Sequence, residues 1–351
     1  MSSAALRDGI LTIPVIDITS FRMPYADAAA RSEVVRQVDA AARKVGFMQV
    51  TGHGISPTTR AEFTSATDAF FALDAAAKAR YRCPPGINRG YTPPKAESLA
   101  NSLGLASAAD LFEAINVGTS AADFPGLHLP ADVYAANVYP AEEVPGFEAA
   151  VTAWFEAAGR VARTMVRVFG VALGGREDYF ERFTDHSIDV LRVNNYRLPA
   201  PDATLEEDQL GMGAHTDYGI VTVLWADQVP GLEIHGADGN WVAVMPADGA
   251  LLVNLGDATA RWTNEEWLST LHRVAPPRVG GTLVPRRSAA YFHDGNVDAV
   301  IEPLPSCVSV ANPARYAPVT VGEHLAVKLA ASRGGQLNPG APREAARLTS
   351  T

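Results

Sequence analysis

Cysteine is nearly missing from this chain: among 351 residues only Cys83 and Cys307 occur. Two cysteines so distant in sequence supply neither a disulfide scaffold nor a thiolate metal site, so free thiols are expected. Positive charge is scarce as well, with 29 Lys and Arg against 39 Asp and Glu and a formal net charge of -10. Nucleic acid affinity rests on clustered cations that displace counterions, so polyanion binding is excluded as the main task. No run of residues approaches the ~20 apolar positions of a membrane span. The opening "MSSAALRDGILTIPVIDI" has neither the charged start nor the long apolar middle of a secretory signal, and a cytoplasmic protein is expected. Internal repeats and low-complexity linkers are absent too. What the chain has in quantity is apolar material, 47% against 19% charged, enough for the core of a soluble globular protein. A single domain over residues 1–351 is expected at this length.

Local pattern separates a helical first half from a β-rich second. "IPVIDI" (13–18) reads as a short buried strand, with its proline tolerable near the start. Residues 26–45 repeat Val34, Val38, Ala41, Ala42 and Val45 at helical spacing, and Gly46 ends that helix. "FMQVTG" (47–52) is a second strand. A helix over 56–73 opens with Ser56 as cap and Pro57 at its first position, both suited to a helix start. The stretch "CPPGINRGYTPPK" (83–95) is loop by its proline and glycine content. A long helix is predicted over 146–174, with Phe147, Val151, Phe155, Val161 and Met165 on its apolar face. From about 187 to 312 short β-type runs follow one another: "IDVLRVNNY", "GIVTVLWA", "GLEIHGADGNWVAVM", "ALLVNLG", "STLHRVAP", "RRSAAYFHD" and "VSVANP". The Asp-Gly within "GADGNW" suits a tight hairpin turn. Short strands without intervening helices predict a sandwich or barrel. A last helix is predicted at 318–333, and the tail 335–351 is expected to be mobile.

The chemistry starts with His215 and Asp217 in "GMGAHTDYGIVTVLW" (211–225). On extended backbone, residues two apart point the same way, so an imidazole and a carboxylate can meet one point. Alone, His-x-Asp is an ordinary strand-end pattern, and two ligands hold a metal poorly. Of the eight histidines, His272 in "STLHRVAPP" stands in the same β region and can complete the set. Two His and one carboxylate form the facial triad of non-haem iron oxygenases, which leaves three positions open; zinc with a water could take the same donors. Further along, Arg286 and Ser288 share one strand face, as do Asn194 and Tyr196. A guanidinium offers a planar fork to a carboxylate, and the two pairs together could grip both ends of a dicarboxylate.

In this combination the chain resembles the isopenicillin N synthase-like family of Fe(II)/2-oxoglutarate-dependent oxygenases. The resemblance rests on H-T-D at 215–217, His272, R-x-S at 286–288 and N-x-Y at 194–196. "IPVIDI", "GFMQVTGHGI", "FFAL", "RGY", "NVYP" and "PGF" appear before them in the family's order, so the likeness spans roughly 11–330. It implies a mainly β fold with helices packed around it: a double-stranded β-helix (jelly-roll) core at 187–312 behind an N-terminal helical and strand region at 11–145. It also implies Fe(II) held by His215, Asp217 and His272. In the family, 2-oxoglutarate pairs with the residues matched by Arg286 and Ser288, and Asn194 and Tyr196 stand near this cosubstrate. O2 is the second cosubstrate and ascorbate the customary reductant in vitro. Departures exist: many members read Asn-Tyr-Tyr-Pro where this chain has Asn194-Asn195-Tyr196-Arg197, Tyr291 replaces a frequent Phe, and Gly295 precedes Asn296 in place of Pro.

The resemblance implies oxidation, by default hydroxylation, of a substrate coupled to decarboxylation of 2-oxoglutarate to succinate and CO2. Family members build substrate pockets from segments that here carry Arg89, Tyr91, Glu113, Asn116, Arg192, Asn195, Tyr218, His293 and Asp294. That polar, mixed-charge set favours a small polar metabolite, amino acid-like or nucleobase-like, bound by a monomer. Three alternatives stand beside this reading. They are an oxidase of the isopenicillin N synthase type that uses no 2-oxoglutarate, an ethylene-forming enzyme, and a non-catalytic jelly-roll binding protein.

Overall fold

Two stacked sheets are built from strands far apart in sequence. In the computed structural model, residues 6–7, 10–11, 13–105, 108–197, 205–206, 209–334, 338 and 340 are described. The larger sheet has eight strands in the order Val15–Asp17, Phe47–Thr51, Leu251–Leu255, Val221–Ala226, Arg286–His293, Asp189–Tyr196, Phe112–Gly118 and Gly90–Thr92. The smaller runs Leu6–Arg7, Ile10–Leu11, Trp241–Ala243, Leu232–His235, His272–Val274 and Met212–His215. Together they form the jelly-roll core. The hairpin between Leu232–His235 and Trp241–Ala243 closes where the Asp-Gly signal predicts, with Gly239 at φ +80° and Gly236 N–H donating to Asn240 O at 2.8 Å.

Helices cover one face of the larger sheet. Phe147–Ala172 lies against Val221–Ala226 and Arg286–His293, and is flanked by Ala28–Lys44 and Pro57–Ala72. Ser56 caps the last of these by accepting from Thr59 N–H at 3.0 Å, and Pro57 sits at its first turn, where no donor is needed. Gly46 follows Ala28–Lys44 at φ +69°, where a Cβ would fall 2.3 Å from Leu268 O, so only glycine turns the chain there. Val151, Trp154, Val161 and Met165 of the long helix share one buried cluster with Ile115, Leu191, Val193 and Tyr291 of the sheet. Because side chains alternate along a strand, the neighbours of those sheet residues point to the other side, into the space between the two sheets.

Three expectations are revised. "CPPGINRGYTPPK" is not all loop: Gly90–Thr92 pairs antiparallel with Phe112–Gly118, whose open edge offers the backbone partners that local composition cannot announce. "VSVANP" forms no strand; it follows the turn Pro305–Cys307, and Val310 is fully exposed. The first half is also more than a helical wrapping, since four of the eight strands in the larger sheet come from it. The last helix spans Val321–Gly334. Of the tail 335–351, Asn338 and Gly340 are described, and Asn338 is buried with its Nδ2 donating to Ser102 O at 2.7 Å; the rest lies outside the described residues. Cys83 and Cys307 are both free.

Behind the sheet a buried ion pair ties helix to strand. Lys78 Nζ donates to Glu113 Oε2 at 2.7 Å, and Tyr91 Oη and Asn195 Nδ2 donate to the same carboxylate at 2.6 and 2.7 Å. Removing one partner of a buried pair strands the other charge, a cost of about 3–5 kcal/mol. Lys78→Met is expected to lose that much stability in urea denaturation; a loss below about 1 kcal/mol would show that water reaches the pair.

Candidate active site

His215 ends one strand of the smaller sheet and His272 begins its neighbour, and the two are direct cross-strand partners. Their ring centroids lie 4.3 Å apart. Asp217 follows two residues after His215, and its Oδ1 is 3.7 Å from His215 Nε2 and 3.6 Å from His272 Nε2. Each imidazole is held by its other nitrogen: His215 Nδ1 donates to Gly213 O at 2.8 Å and His272 Nδ1 to Thr270 O at 3.1 Å. A carbonyl can only accept, so Nδ1 carries a proton and Nε2 is the nitrogen turned toward Asp217. Burial, reinforced by the adjacent His272, pushes His215 down to about 3, which keeps it neutral and able to ligate. Asp217 Oδ2 accepts from Thr222 Oγ1 at 2.5 Å and Asn254 Nδ2 at 2.6 Å. One carboxylate oxygen is thus tied back while the other faces the imidazoles. Among the described residues this is the one cluster whose donor atoms, within 4.8 Å of one another, could hold a metal ion. Two imidazoles and one carboxylate suit a divalent first-row metal with positions to spare.

The loop that carries these ligands is clamped from behind. Thr216 Oγ1 donates to Asp257 Oδ2 at 3.0 Å, and Lys328 Nζ of the last helix lies 2.8 Å from the same oxygen. Asp257 N–H donates to Asp217 O at 2.9 Å, and His324 Nε2 donates to Tyr218 O at 3.1 Å. Three consecutive loop residues are therefore fixed by groups far away in sequence.

A cavity of about 1020 Å³ extends from the cluster between the sheets. Arg286, Ser288, Asn194 and Tyr196 all line it, with Arg286 opposite Tyr196 and Ser288 opposite Asn194 across the strand pair. Arg286 is buried; its Nε donates to Val229 O at 3.2 Å, and its guanidinium sits 5.2 Å above the Tyr196 ring. Its Nη1 is buried without a partner. An orphaned guanidinium donor is costly unless a ligand satisfies it, and a carboxylate matches its planar fork. The donor set and this orphan together fit iron and 2-oxoglutarate. Tyr196 Oη lies 3.5 Å from Ser288 Oγ, at the guanidinium end. The expectation that Tyr196 holds the opposite end of a dicarboxylate is thereby revised, because the register sets Tyr196 directly against Arg286. Asn194 Oδ1 instead accepts from Arg192 Nε at 3.2 Å.

Of the residues proposed from sequence for the substrate, Arg89, Tyr91, Asn116, Arg192 and Tyr218 line the cavity. Glu113, Asn195 and His293 do not, and strand parity is the reason. Val190, Arg192, Asn194 and Tyr196 face the cavity, so Asn195 turns to the helices with Leu191 and Val193. Glu113 meets Lys78 on that same side. His293 Nδ1 donates to Asp189 Oδ1 at 2.8 Å beside Tyr291, whose Oη donates to Asp189 Oδ2 at 2.6 Å. Arg89 lines the cavity but turns Nη1 and Nη2 to the carbonyls of Asn88, Thr119 and Val133, and burial lowers it to about 10. Tyr91 points its hydroxyl at Glu113. The cavity also contains Asp294, as the sequence suggests, and Phe292, Asn88, Glu97 and Arg333, which the sequence reading does not single out. Phe292 is within its reach, being the next position on one strand face after Arg286, Ser288 and Ala290. Glu97 and Arg333 carry no local signal, since a loop and the last helix bring them in.

Two family profiles match the chain. Residues 13–142 match the N-terminal region described as non-haem dioxygenase in morphine synthesis, and residues 188–295 match the 2OG-Fe(II) oxygenase superfamily. The 2-oxoglutarate-Fe(II) type oxidoreductase hxnY of Emericella nidulans is 31% identical over 318 residues, covering 88% of this chain and 86% of that protein. Validamycin A dioxygenase of Streptomyces hygroscopicus subsp. limoneus is 29% identical over 322 residues, covering 90% and 86%. Among solved structures, a full-length Neurospora crassa protein in complex with alpha-KG and thymine superimposes with a TM-score of 0.80 at 27% identity, covering 94% of this chain and 99% of that one. The chain thus belongs to the 2OG-Fe(II) oxygenase superfamily and is a 2-oxoglutarate-dependent non-haem iron dioxygenase.

Proposed function

We propose that His215, Asp217 and His272 hold the iron, that Arg286 and Ser288 bind the far carboxylate of 2-oxoglutarate with Tyr196 beside them, and that the enzyme hydroxylates a small polar metabolite in the remaining cavity. The observation that carries this reading is the partnerless Arg286 Nη1 in the same cavity as the two-histidine, one-carboxylate cluster. Once bound, iron and 2-oxoglutarate supply the oxidising power, as 2-oxoglutarate and O2 give succinate and CO2 with oxidation of a substrate C–H bond. This chain's own residues position and shield. Thr222 and Asn254 hold Asp217 through Oδ2, and Leu224, Leu232 and Val274 form the apolar wall that keeps water from the reacting atoms. Tyr218, Phe292, Arg192 and Asn116 surround the space left for substrate with two aromatic rings and two polar heads. That combination suits a small nucleobase-like or amino acid-like molecule, and the related Neurospora crassa structure holds thymine. Two unpaired thiols agree with a reducing, cytoplasmic setting; a monomer is the reading that light scattering would check.

The decisive experiment is a substrate screen that reads succinate released from 2-oxoglutarate with Fe(II) and ascorbate. No metabolite-stimulated succinate from a well-folded enzyme would sink the reading. His272→Ala is expected to abolish iron-dependent turnover while circular dichroism stays that of the parent; retained turnover would remove His272 from the site. Arg286→Lys replaces a fork by a point charge, so the KM for 2-oxoglutarate should rise roughly tenfold or more with little change in that for the primary substrate. Equal rises in both would assign Arg286 another task. Asn254→Ala frees one arm of Asp217 and should weaken Mn(II) binding about 10–100-fold by calorimetry.

A further inference from the structure

The protein is acidic, with a formal net charge of -10, yet the inner wall of its cavity is not. Arg192 Nη2 donates to Glu97 Oε2 at 2.8 Å, while its Nη1 reaches Glu97 Oε1 only at 3.5 Å. Arg333, near the end of the last helix, donates from Nε to Glu97 Oε1 at 3.0 Å and from Nη2 to Asn88 Oδ1 at 2.7 Å. Two guanidiniums therefore share one carboxylate, and one positive charge is left over. The three side chains are 11%, 23% and 6% exposed for Arg192, Arg333 and Glu97, and all line the cavity.

Among the described residues, the other cavity carboxyls do not balance that charge. Asp217 faces His215 and His272. Asp294 is buried, and burial, with Asp189 and Asp217 nearby, holds its carboxyl well above the usual range. Asp132 is exposed at the rim, where Arg82 is exposed too. On the next strand, Asn116 donates from Nδ2 to Asn88 Oδ1 at 2.7 Å. Its own Oδ1 is buried with no partner, an acceptor awaiting a donor. A buried excess of positive charge beside an unsatisfied acceptor describes the complement of a specific ligand.

We propose that the substrate is a small carboxylate that also carries an N–H or O–H donor, its carboxylate held by Arg192 and Arg333 and its donor by Asn116. This rests on the reading of the cavity as the oxygenase active site. Glu97 acts as a specificity-determining residue: it spaces the two guanidiniums yet neutralises only one of them. Neutral molecules of the same shape leave the second cation uncompensated and are discriminated against.

The test uses the full-length enzyme loaded with Mn(II) and saturating 2-oxoglutarate, titrated calorimetrically with matched acid and amide pairs. Suitable pairs are uracil-6-carboxylate with its carboxamide, nicotinate with nicotinamide, and proline with prolinamide. At least one acid is expected to bind roughly tenfold or more tightly than its amide, the worth of a charge-assisted bond. Arg333→Gln should abolish that preference and Glu97→Gln should enlarge it, whereas 2-oxoglutarate affinity stays within about twofold in both. Opposite responses separate charge selection from structural damage, which would weaken binding in both variants. The proposal is overturned if amides match acids, if no pair member binds below millimolar concentration, or if both variants shift the preference the same way. Failure of the active-site reading shows earlier and separately, as absence of Mn(II)-dependent 2-oxoglutarate binding before any acid is added.

Discussion

The register of Arg286–His293 between Val221–Ala226 and Asp189–Tyr196 is the constraint on which the rest of the site depends. A strand has two faces, so a slip of one residue would send Arg286 and Ser288 into the helical layer and bring Arg287 and Tyr291 into the cavity. The helix side guards against that slip. Tyr291 Oη and His293 Nδ1 both donate to Asp189, and Tyr291 packs edge-on against Phe155 at 5.0 Å. Gly159 leaves room for that hydroxyl, since a Cβ there would lie 2.6 Å from it. Polar groups on the helix side thereby decide which polar groups face the cavity.

The loop around Asp217 follows a similar logic. Asp217 carries one oxygen for its neighbouring imidazoles because Thr222 and Asn254 occupy the other. The loop around it is held by Asp257, Lys328 and His324. The last helix therefore supports the loop around Asp217 at one end and supplies Arg333 to the cavity wall at the other. Moving that helix would disturb both the His215, Asp217 and His272 cluster and the cavity wall. The buried charges Asp257, Lys328 and Glu97 are paired and hydrogen-bonded, which is what makes their burial tolerable.

Much of this is legible in the sequence. The helices at 28–44, 57–72 and 147–172 follow from apolar spacing and from Ser56, Pro57 and Gly46. His215 with Asp217, and Arg286 with Ser288, follow from the two-residue repeat of a strand. The same repeat, applied consistently, removes Asn195 and His293 from the substrate set and admits Phe292. Glu113 is harder, because nothing local tells which face of Phe112–Gly118 looks at the helices; Lys78, 35 positions away, reveals it. Gly90–Thr92 and "VSVANP" escape a sequence reading for one reason: a β-strand needs a neighbour's backbone, and composition does not say whether one is present.

By itself the sequence determined the residue chemistry and its local direction: two histidines and an aspartate able to hold a metal, an arginine fork able to grip a carboxylate, and which side chains share a face. These are consequences of covalent spacing and a two-residue repeat, and they need no partner. Tertiary structure alone decided which faces meet. It set His272 against His215 across a strand pair, turned Tyr196 toward Arg286, and brought Arg333 and Arg192 onto the one carboxylate of Glu97. Those contacts join segments that no periodicity links, and they exist only because burying the apolar faces of two sheets and a helical layer fixes where each strand lies.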